Sequence, residues 1–104
     1  MCSWHLLGMG ASVDRIESLS GGDMTRSVPP IVDGTGAFYG ALNRGARSAA
    51  LDFRHPNGKA ALRHLIPKYD VLIEGFRPGI MEAMGLDNDA LRELNPSLIY
   101  ARIS

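Results

Sequence analysis

The sequence has one cysteine, no long apolar run and no net charge, and each shortage excludes a class of protein. Cys2 alone cannot form an internal disulfide, which fits a reducing compartment and predicts a cytoplasmic location. No stretch approaches the roughly 20 apolar residues of a membrane-spanning helix. The first ten residues also lack the basic start and long apolar core of a signal peptide. We therefore predict neither a membrane association nor a secretory leader.

Charge and metal-binding side chains are equally uninformative about partners at the level of the whole chain. Eleven basic and eleven acidic side chains cancel, so long-range attraction to nucleic acid is not predicted. Any anion site must therefore depend on the local placement of charge. His5, His55 and His64 have no metal-ligand spacing with Cys2, so we predict no metal site. The length of 104 residues suits a single small domain.

Apolar runs that alternate with helical patterns predict an α/β protein with a mostly parallel sheet. Pro56 suits the first position of a helix, Leu62 and Leu65 follow at helical spacing, and Pro67 ends the pattern. Strands that alternate with helices need crossover connections and therefore pair in parallel. The predicted strands span 13–17, 48–53, 70–74 and 98–103, and the predicted helices span 3–9, 37–42, 56–65, 78–85 and 87–94.

Several local expectations accompany this assignment. The strand 70–74 is a short apolar run, which is typical of a strand covered on both faces. In the helix that Pro78 opens, we expect Ile80, Met81 and Met84 to face the core. At the chain ends, a strand without a covering helix and a helix without a preceding strand predict a piece of a larger domain. A piece of this size buries only about 60–65% of its unfolded surface, which makes its stability alone doubtful.

The region 18–36 is rich in Gly, Ser, Pro, Asp and Thr and predicts a long loop. Loops of that length are usually functional or disordered. Within it, Asp23 and Arg26 are predicted to form a local turn pair. The sequence Gly8-Met9-Gly10 is superficially similar to a dinucleotide-binding glycine loop, but it follows a helix rather than a strand. We therefore assign it no such role.

Two arginines follow the ends of two predicted strands, which we expect to be adjacent and parallel. Arg54 follows the strand 48–53, and Arg77 follows the strand 70–74. Open α/β sheets bind ligands at the carboxyl edge of their strands, and the guanidinium fork pairs with two phosphate oxygens. These arginines therefore suggest a phosphate-bearing ligand, although both could be solvated loop residues. Asp52 could hold a ribose, but an Asp at a strand end more often caps local backbone amides, and we favour capping.

Five motifs occur in an order and spacing that resemble the N-terminal part of the family III CoA-transferases, the CaiB/BaiF family. They are GASVDRIE at 10–17, GGDMTR at 21–26, LNRGARSAALDFRHPNGKAAL at 42–62, DVLIEGFRPGIMEAMGL at 70–86 and LNPSLIYARIS at 94–104. The resemblance implies a three-layer, Rossmann-like large domain that binds acyl-CoA, in a homodimer of interlocked chains. It also implies a length of several hundred residues. Residues 1–104 would then be a partial CoA-binding domain, without the first strand and the catalytic half.

The resemblance also implies a set of CoA-binding positions. They are Leu51, Asp52, Phe53, Arg54, Gly75, Phe76 and Arg77. Three positions depart from the family pattern: many members have Asn where Gly75 stands, and Arg often occupies the places of Ser18 and Ala83. Coenzyme A or acyl-CoA is the implied substrate together with a small carboxylic acid, and no prosthetic group is implied. Arg44 and Arg47 flank Gly45 in a basic turn, which is either a solubilising loop or a gate over the CoA entrance.

The implied reaction moves CoA between an acyl-CoA and a carboxylic acid through an aspartyl thioester. The alternative within the family is an α-methylacyl-CoA racemase, which uses a His and an Asp. Both catalytic sets lie downstream of the last motif, so no catalytic residue is predicted between Met1 and Ser104. A different class of hypothesis is a non-catalytic CoA-binding, nucleotide-binding or interaction module. A truncated reading frame without activity is the remaining possibility.

Overall fold

The strands pair in three two-stranded sheets within residues 1–103, which are the residues that the computed structural model of the protein describes. Two of these sheets are parallel and one is an antiparallel hairpin, which confirms the predicted α/β class with mostly parallel strands. The parallel pairs are β1 (Asp14–Ser18) with β4 (Arg47–Leu51) and β5 (Val71–Glu74) with β6 (Ile99–Arg102), and the hairpin joins β2 (Ile31–Val32) to β3 (Thr35–Gly36).

The helices begin and end close to the predicted positions. They are α1 (Cys2–Gly8), α2 (Ala37–Asn43), α3 (Pro56–Leu65), α4 (Ile80–Ala83) and α5 (Asn88–Leu94), with 3₁₀ turns at Met24–Ser27 and Ile66–Lys68. Pro67 ends α3 as predicted, since the chain tightens into the second 3₁₀ turn after Leu65. Within residues 1–103 no helix has the length and apolar character needed to cross a lipid bilayer.

The chain divides into a first unit, Met1–Leu51, and a second unit that begins at Asp52. In the first unit, the predicted loop 18–36 contains the first 3₁₀ turn and the β2–β3 hairpin. The loop is held close to its own backbone at Gly36, where a Cβ atom would lie 2.3 Å from the carbonyl oxygen of Thr25. Tyr39 on α2 is the buried aromatic residue of this unit.

A cluster of apolar side chains forms the core of the second unit. Its buried members are Ile66, Met81, Met84, Leu86 and Leu91, and partly buried Phe53, Leu62, Leu72, Leu94, Leu98 and Tyr100 pack against them. The predicted burial of Met81 and Met84 is confirmed, but Ile80 is 42% exposed. Ile80 is the first residue of this single turn and follows the exposed segment 75–79, which leaves its side chain partly uncovered.

Each parallel pair forms within one unit. β4 pairs with β1 and β5 pairs with β6, so the expected adjacency of the strands 48–53 and 70–74 stays a prediction. Both observed pairs are joined by long connections that contain helices, as parallel pairing requires. Val71 is also 38% exposed, so the described residues do not cover both faces of β5 as predicted.

Candidate functional site

The structure brings together the two predicted segments that follow strand ends. Residues 52–54 follow β4, residues 75–77 follow β5, and both segments lie in the second unit. The rings of Phe53 and Phe76 meet edge to face, with centroids 6.2 Å apart and planes at 77°. Phe53 also packs against the buried core, whereas Phe76 is 44% exposed. The aromatic pair therefore ties the exposed 75–77 turn to an anchored residue of the 52–54 turn.

Asp52 stabilises the backbone of its own turn. Its Oδ1 atom accepts a hydrogen bond from the Arg54 N–H at 2.9 Å, and its carbonyl accepts one from the His55 N–H at 3.2 Å. The favoured prediction of a local capping role is thereby confirmed. Leu51, the last residue of β4, belongs to the first unit, and its carbonyl accepts a hydrogen bond from the Leu19 N–H at 3.1 Å.

The start of α3 fixes the other side of the 52–54 turn through two residues that the sequence reasoning missed. His55 caps the helix, because its Nδ1 atom accepts a hydrogen bond from the Asn57 N–H at 3.1 Å. Gly58 lies against the carbonyl of Asp52, and a Cβ atom there would be 1.9 Å from that oxygen. The signal for His55 was its place directly before Pro56, whereas nothing in the local sequence announces the close approach at Gly58.

Glu74 binds the backbone of the 75–77 turn, and the sequence reasoning also missed this residue. This residue ends β5 with only 7% of its surface exposed. Its Oε2 atom accepts a hydrogen bond from the Phe76 N–H at 2.7 Å. Its Oε1 atom accepts hydrogen bonds from the Tyr100 hydroxyl and the Arg102 Nε, each at 3.0 Å. Burial and the hydrogen bond to Glu74 raise the pKa of Tyr100 to about 12. The sequence did carry a signal for Glu74: a carboxylate at the end of an apolar strand becomes buried, and a buried charge needs hydrogen-bond partners.

The arginines of the two turns are the cations that remain available to a ligand. Arg54 and Arg77 are both exposed, and within residues 1–103 neither guanidinium pairs with a carboxylate. Gly75 contributes no side chain to the turn. The site therefore offers two unpaired forks and an exposed aromatic ring, which suit an anion attached to an organic group.

A second polar cluster lies in the first unit around the buried carboxylate of Glu17. Arg26 donates to both of its oxygens, from Nε at 2.8 Å and from Nη2 at 3.0 Å. The Tyr39 hydroxyl, the Ser48 hydroxyl and the Asp23 N–H donate to the same carboxylate. The Arg26 hydrogen bonds, together with these further donors, outweigh burial and hold the pKa of Glu17 well below its usual value. This cluster fastens the loop after β1 to the parallel pair.

The predicted local turn pair of Asp23 and Arg26 is confirmed for the backbone, because the Arg26 N–H donates to the Asp23 carbonyl at 3.0 Å, but their side chains pair with other residues. Arg26 pairs with Glu17, and Asp23 pairs with Arg15 and caps the first 3₁₀ turn through the Thr25 N–H at 2.8 Å. The physical reason is burial, because a carboxylate removed from water needs a cation more than an exposed one does.

The two arginines of the basic turn around Gly45 differ in their surroundings. The Arg47 guanidinium donates to both oxygens of Asp14, at 2.6 and 2.9 Å. Arg44 is exposed to solvent. Neither observation tests whether this turn is a solubilising loop or a gate over the CoA entrance, so both alternatives stay predictions.

The Glu17 cluster predicts that stability falls in acid. Because the folded pKa lies below the ordinary value of 4.5, the unfolded chain binds more protons, and stability decreases as the pH falls below about 4.5. We expect Glu17→Gln to lower stability at neutral pH and to flatten this slope. Urea titrations of both proteins at several pH values from neutral to acid measure the difference. Equal slopes in the two proteins would contradict the assignment.

No metal centre is evident in the described part of the chain. Within residues 1–103 no three His, Cys, Asp or Glu side chains are grouped so that they could hold an ion.

Comparison with known proteins places these features in a wider context. The sequence model of CoA-transferase family III matches residues 1–104. A succinate–glutarate CoA-transferase of Agrobacterium fabrum is 42% identical over 106 residues, which are 95% of this chain and 26% of that protein. A formyl-CoA:oxalate CoA-transferase of Bradyrhizobium diazoefficiens is 37% identical over 103 residues, which are 98% of this chain and 24% of that protein. Neither of these two relatives is named as a racemase.

A solved structure shares the fold. The crystal structure of a CaiB/BaiF family protein from Brucella suis matches with a TM-score of 0.88 and 40% sequence identity. The match covers 97% of this chain and 28% of that protein. The partial, Rossmann-like α/β fold implied by the sequence motifs is thereby confirmed. The chain spans about a quarter of the length of the curated relatives that it matches.

Proposed function

The chain belongs to CoA-transferase family III, and from this premise we propose that it supplies part of the CoA site of an enzyme that moves CoA between an acyl-CoA and a carboxylic acid. The contact between Phe53 and Phe76 carries the proposal, because it joins the two turns that present Arg54 and Arg77. The relatives are named for succinate, glutarate, formyl-CoA and oxalate. A small mono- or dicarboxylic acid is therefore the proposed acceptor.

In the proposed complex, each part of CoA meets a matching group. Arg54 and Arg77 pair with phosphate oxygens, because a guanidinium fork donates two parallel hydrogen bonds. The exposed ring of Phe76 offers an apolar surface to the pantetheine or the adenine. Asp52 and Phe53 contribute backbone groups. Gly75 cannot provide the side-chain amide that many family members have, and Ser18 and Ala83 lack a cation, so the affinity depends more heavily on the two arginines.

We propose that the chemistry uses an aspartate beyond residue 104. Its carboxylate would attack the thioester carbonyl, release the CoA thiolate and form a mixed anhydride. The thiolate would then attack the aspartyl carbonyl, form the aspartyl thioester and release the first carboxylic acid. The acceptor carboxylate repeats these steps in reverse to leave with CoA. CoA is a substrate in this scheme, the proposed assembly is an interlocked homodimer, and the proposed compartment is the cytoplasm.

We expect the native gene product to exchange CoA between succinyl-CoA and glutarate or between formyl-CoA and oxalate. We expect residues 1–104 alone to show no exchange, because they contain no match to the family's catalytic aspartate. Chromatographic detection of the new thioester tests both statements, and intact-mass measurement establishes which polypeptide is assayed. Exchange by residues 1–104 alone would show that the catalytic carboxylate lies within these residues, and would contradict the proposal.

Two further measurements, deuterium incorporation and CoA binding, separate the alternatives. A racemase would instead incorporate deuterium next to the thioester carbonyl of a 2-methylacyl-CoA in deuterated water. CoA binding without exchange of any tested pair would favour a non-catalytic binding module. The absence of CoA binding by the native gene product would refute the proposed function.

A further inference from the structure

Glu74 connects the proposed CoA site to the interior of the second unit. The residue is buried at the end of β5, and its two carboxylate oxygens face different groups. One oxygen accepts the backbone N–H of Phe76 at 2.7 Å, and the other accepts the hydroxyl of Tyr100 and the Nε of Arg102. A single carboxylate therefore binds the exposed turn on one side and β6 on the other.

On the β6 side, strand pairing holds Glu74 in place. Glu74 and Arg102 lie opposite each other in the parallel register, and the Ile103 N–H donates to the Glu74 carbonyl at 2.9 Å. Arg102 also approaches the Glu82 carboxylate at 3.6 Å. The Glu74 carboxylate is thus held in place by a paired strand before it accepts the hydrogen bond from the turn.

The turn side determines where Phe76 and Arg77 lie. Phe76 is largely outside the core, and the described contacts that locate it are its N–H bond to Glu74 and its ring contact with Phe53. Since Arg77 is the next residue, the direction of its side chain depends on the same backbone. The Glu74 carboxylate therefore acts on the two CoA-facing residues without being exposed itself.

We propose that Glu74 is a positioning residue for CoA, which holds Phe76 against Phe53 and orients Arg77. The inference rests on the proposed function, because it concerns the same site. A purely structural Glu74 would only neutralise Arg102, and the hydrogen bond to Phe76 would then have no consequence for a ligand.

Glu74→Gln tests the proposal because an amide has one acceptor oxygen. That oxygen serves either Phe76 or the Tyr100–Arg102 pair, so the turn loses either its acceptor or the anchor on β6 that holds the acceptor in place. In the native gene product we expect the dissociation constant for CoA, measured by calorimetry, to rise roughly tenfold or more. The KM for acyl-CoA should rise in parallel, while kcat at saturation should stay within about twofold, because the loss concerns ground-state binding.

Glu82→Gln is the matched control. It removes a carboxylate from the other side of Arg102, is exposed, and makes no described contact with the turn. We expect it to leave the dissociation constant unchanged. Adding Glu74→Gln to a Phe76→Ala/Arg77→Ala variant should weaken binding little further, because Glu74 acts through these two residues. Additive losses would mean that Glu74 acts by another route and would overturn the proposal.

Absorbance titration of the Tyr100 phenol, taken as the difference from Tyr100→Phe, reports on the cluster independently of CoA. Its pKa of about 12 should fall toward the ordinary value of 10.0 if the contact with residue 74 is lost.

Unchanged CoA affinity in Glu74→Gln would overturn the proposal but leave the proposed function intact. No CoA binding by the unaltered protein would refute the proposed function itself. If Glu74→Gln does not fold, Glu74→Asp withdraws the carboxylate by one methylene and should raise the dissociation constant likewise.

Discussion

Arg54→Ala is expected to weaken CoA binding by roughly 10- to 150-fold, the equivalent of about 1.5–3 kcal/mol for a hydrogen bond to a charged group. Arg54 is exposed and has no carboxylate partner within residues 1–103, so its donors are available to a phosphate. Its place is defined, because its N–H donates to Asp52 at 2.9 Å. Calorimetric titration of the native gene product with CoA measures the effect.

Two controls make this result specific to phosphate recognition. Arg92→Ala removes another exposed arginine of the second unit, on α5, and is expected to leave CoA affinity unchanged. Pantetheine lacks the nucleotide phosphates, so its weak binding should not respond to Arg54→Ala. The loss for CoA should also shrink as ionic strength rises, because salt screens exposed charges. An unchanged dissociation constant for CoA would refute the role of Arg54.

Gly58→Ala is expected to destabilise the protein by about 3 kcal/mol, the upper end of the usual cost of overpacking. The added Cβ atom would lie 1.9 Å from the Asp52 carbonyl oxygen and 2.8 Å from its carbonyl carbon. Because these are backbone atoms, relief requires α3 and the 52–54 turn to separate. The thermal midpoint should fall by more than about 10 °C, and CoA affinity should fall with it.

Gly40→Ala is the matched control, because it makes the same change in another helix. Gly40 lies within α2, and a Cβ atom there would meet no atom within 4 Å. Alanine favours helices over glycine by about 1 kcal/mol, so this variant should be slightly more stable than the original protein. The two substitutions are thus expected to have opposite signs. Equal thermal midpoints for both variants would show that the close approach at Gly58 does not constrain the turn.

The residues of the candidate site that face a ligand were predictable from the sequence, but the contacts that hold them in place were not. Arg54 and Arg77 were identified from their places after strands, and the five motifs identified the family that the comparisons show. The expected adjacency of the strands 48–53 and 70–74 stays a prediction, whereas the segments that follow them meet through Phe53 and Phe76. Ring packing joins them, which no periodicity in the sequence could indicate.

Local chemistry alone determined most element boundaries. Pro56 begins α3, Pro67 ends it, Gly85 follows α4 at a φ of +70°, and Asp87 caps α5 by accepting the Ala90 N–H at 2.8 Å. Each of these effects acts over at most three or four positions, because caps and turns are bonds between near neighbours in the chain. They can therefore be read directly from the order of the residues.

The tertiary structure alone decided which strands pair and which charges meet. Glu74 and Arg102 are 28 positions apart, and the Ser48 hydroxyl reaches Glu17 across 31. Such partners meet only after the crossovers have set the strands side by side, and several carboxylates and arginines in this sequence are chemically equivalent candidates. Burial then selects among them, because a carboxylate removed from water is stable only with donors around it.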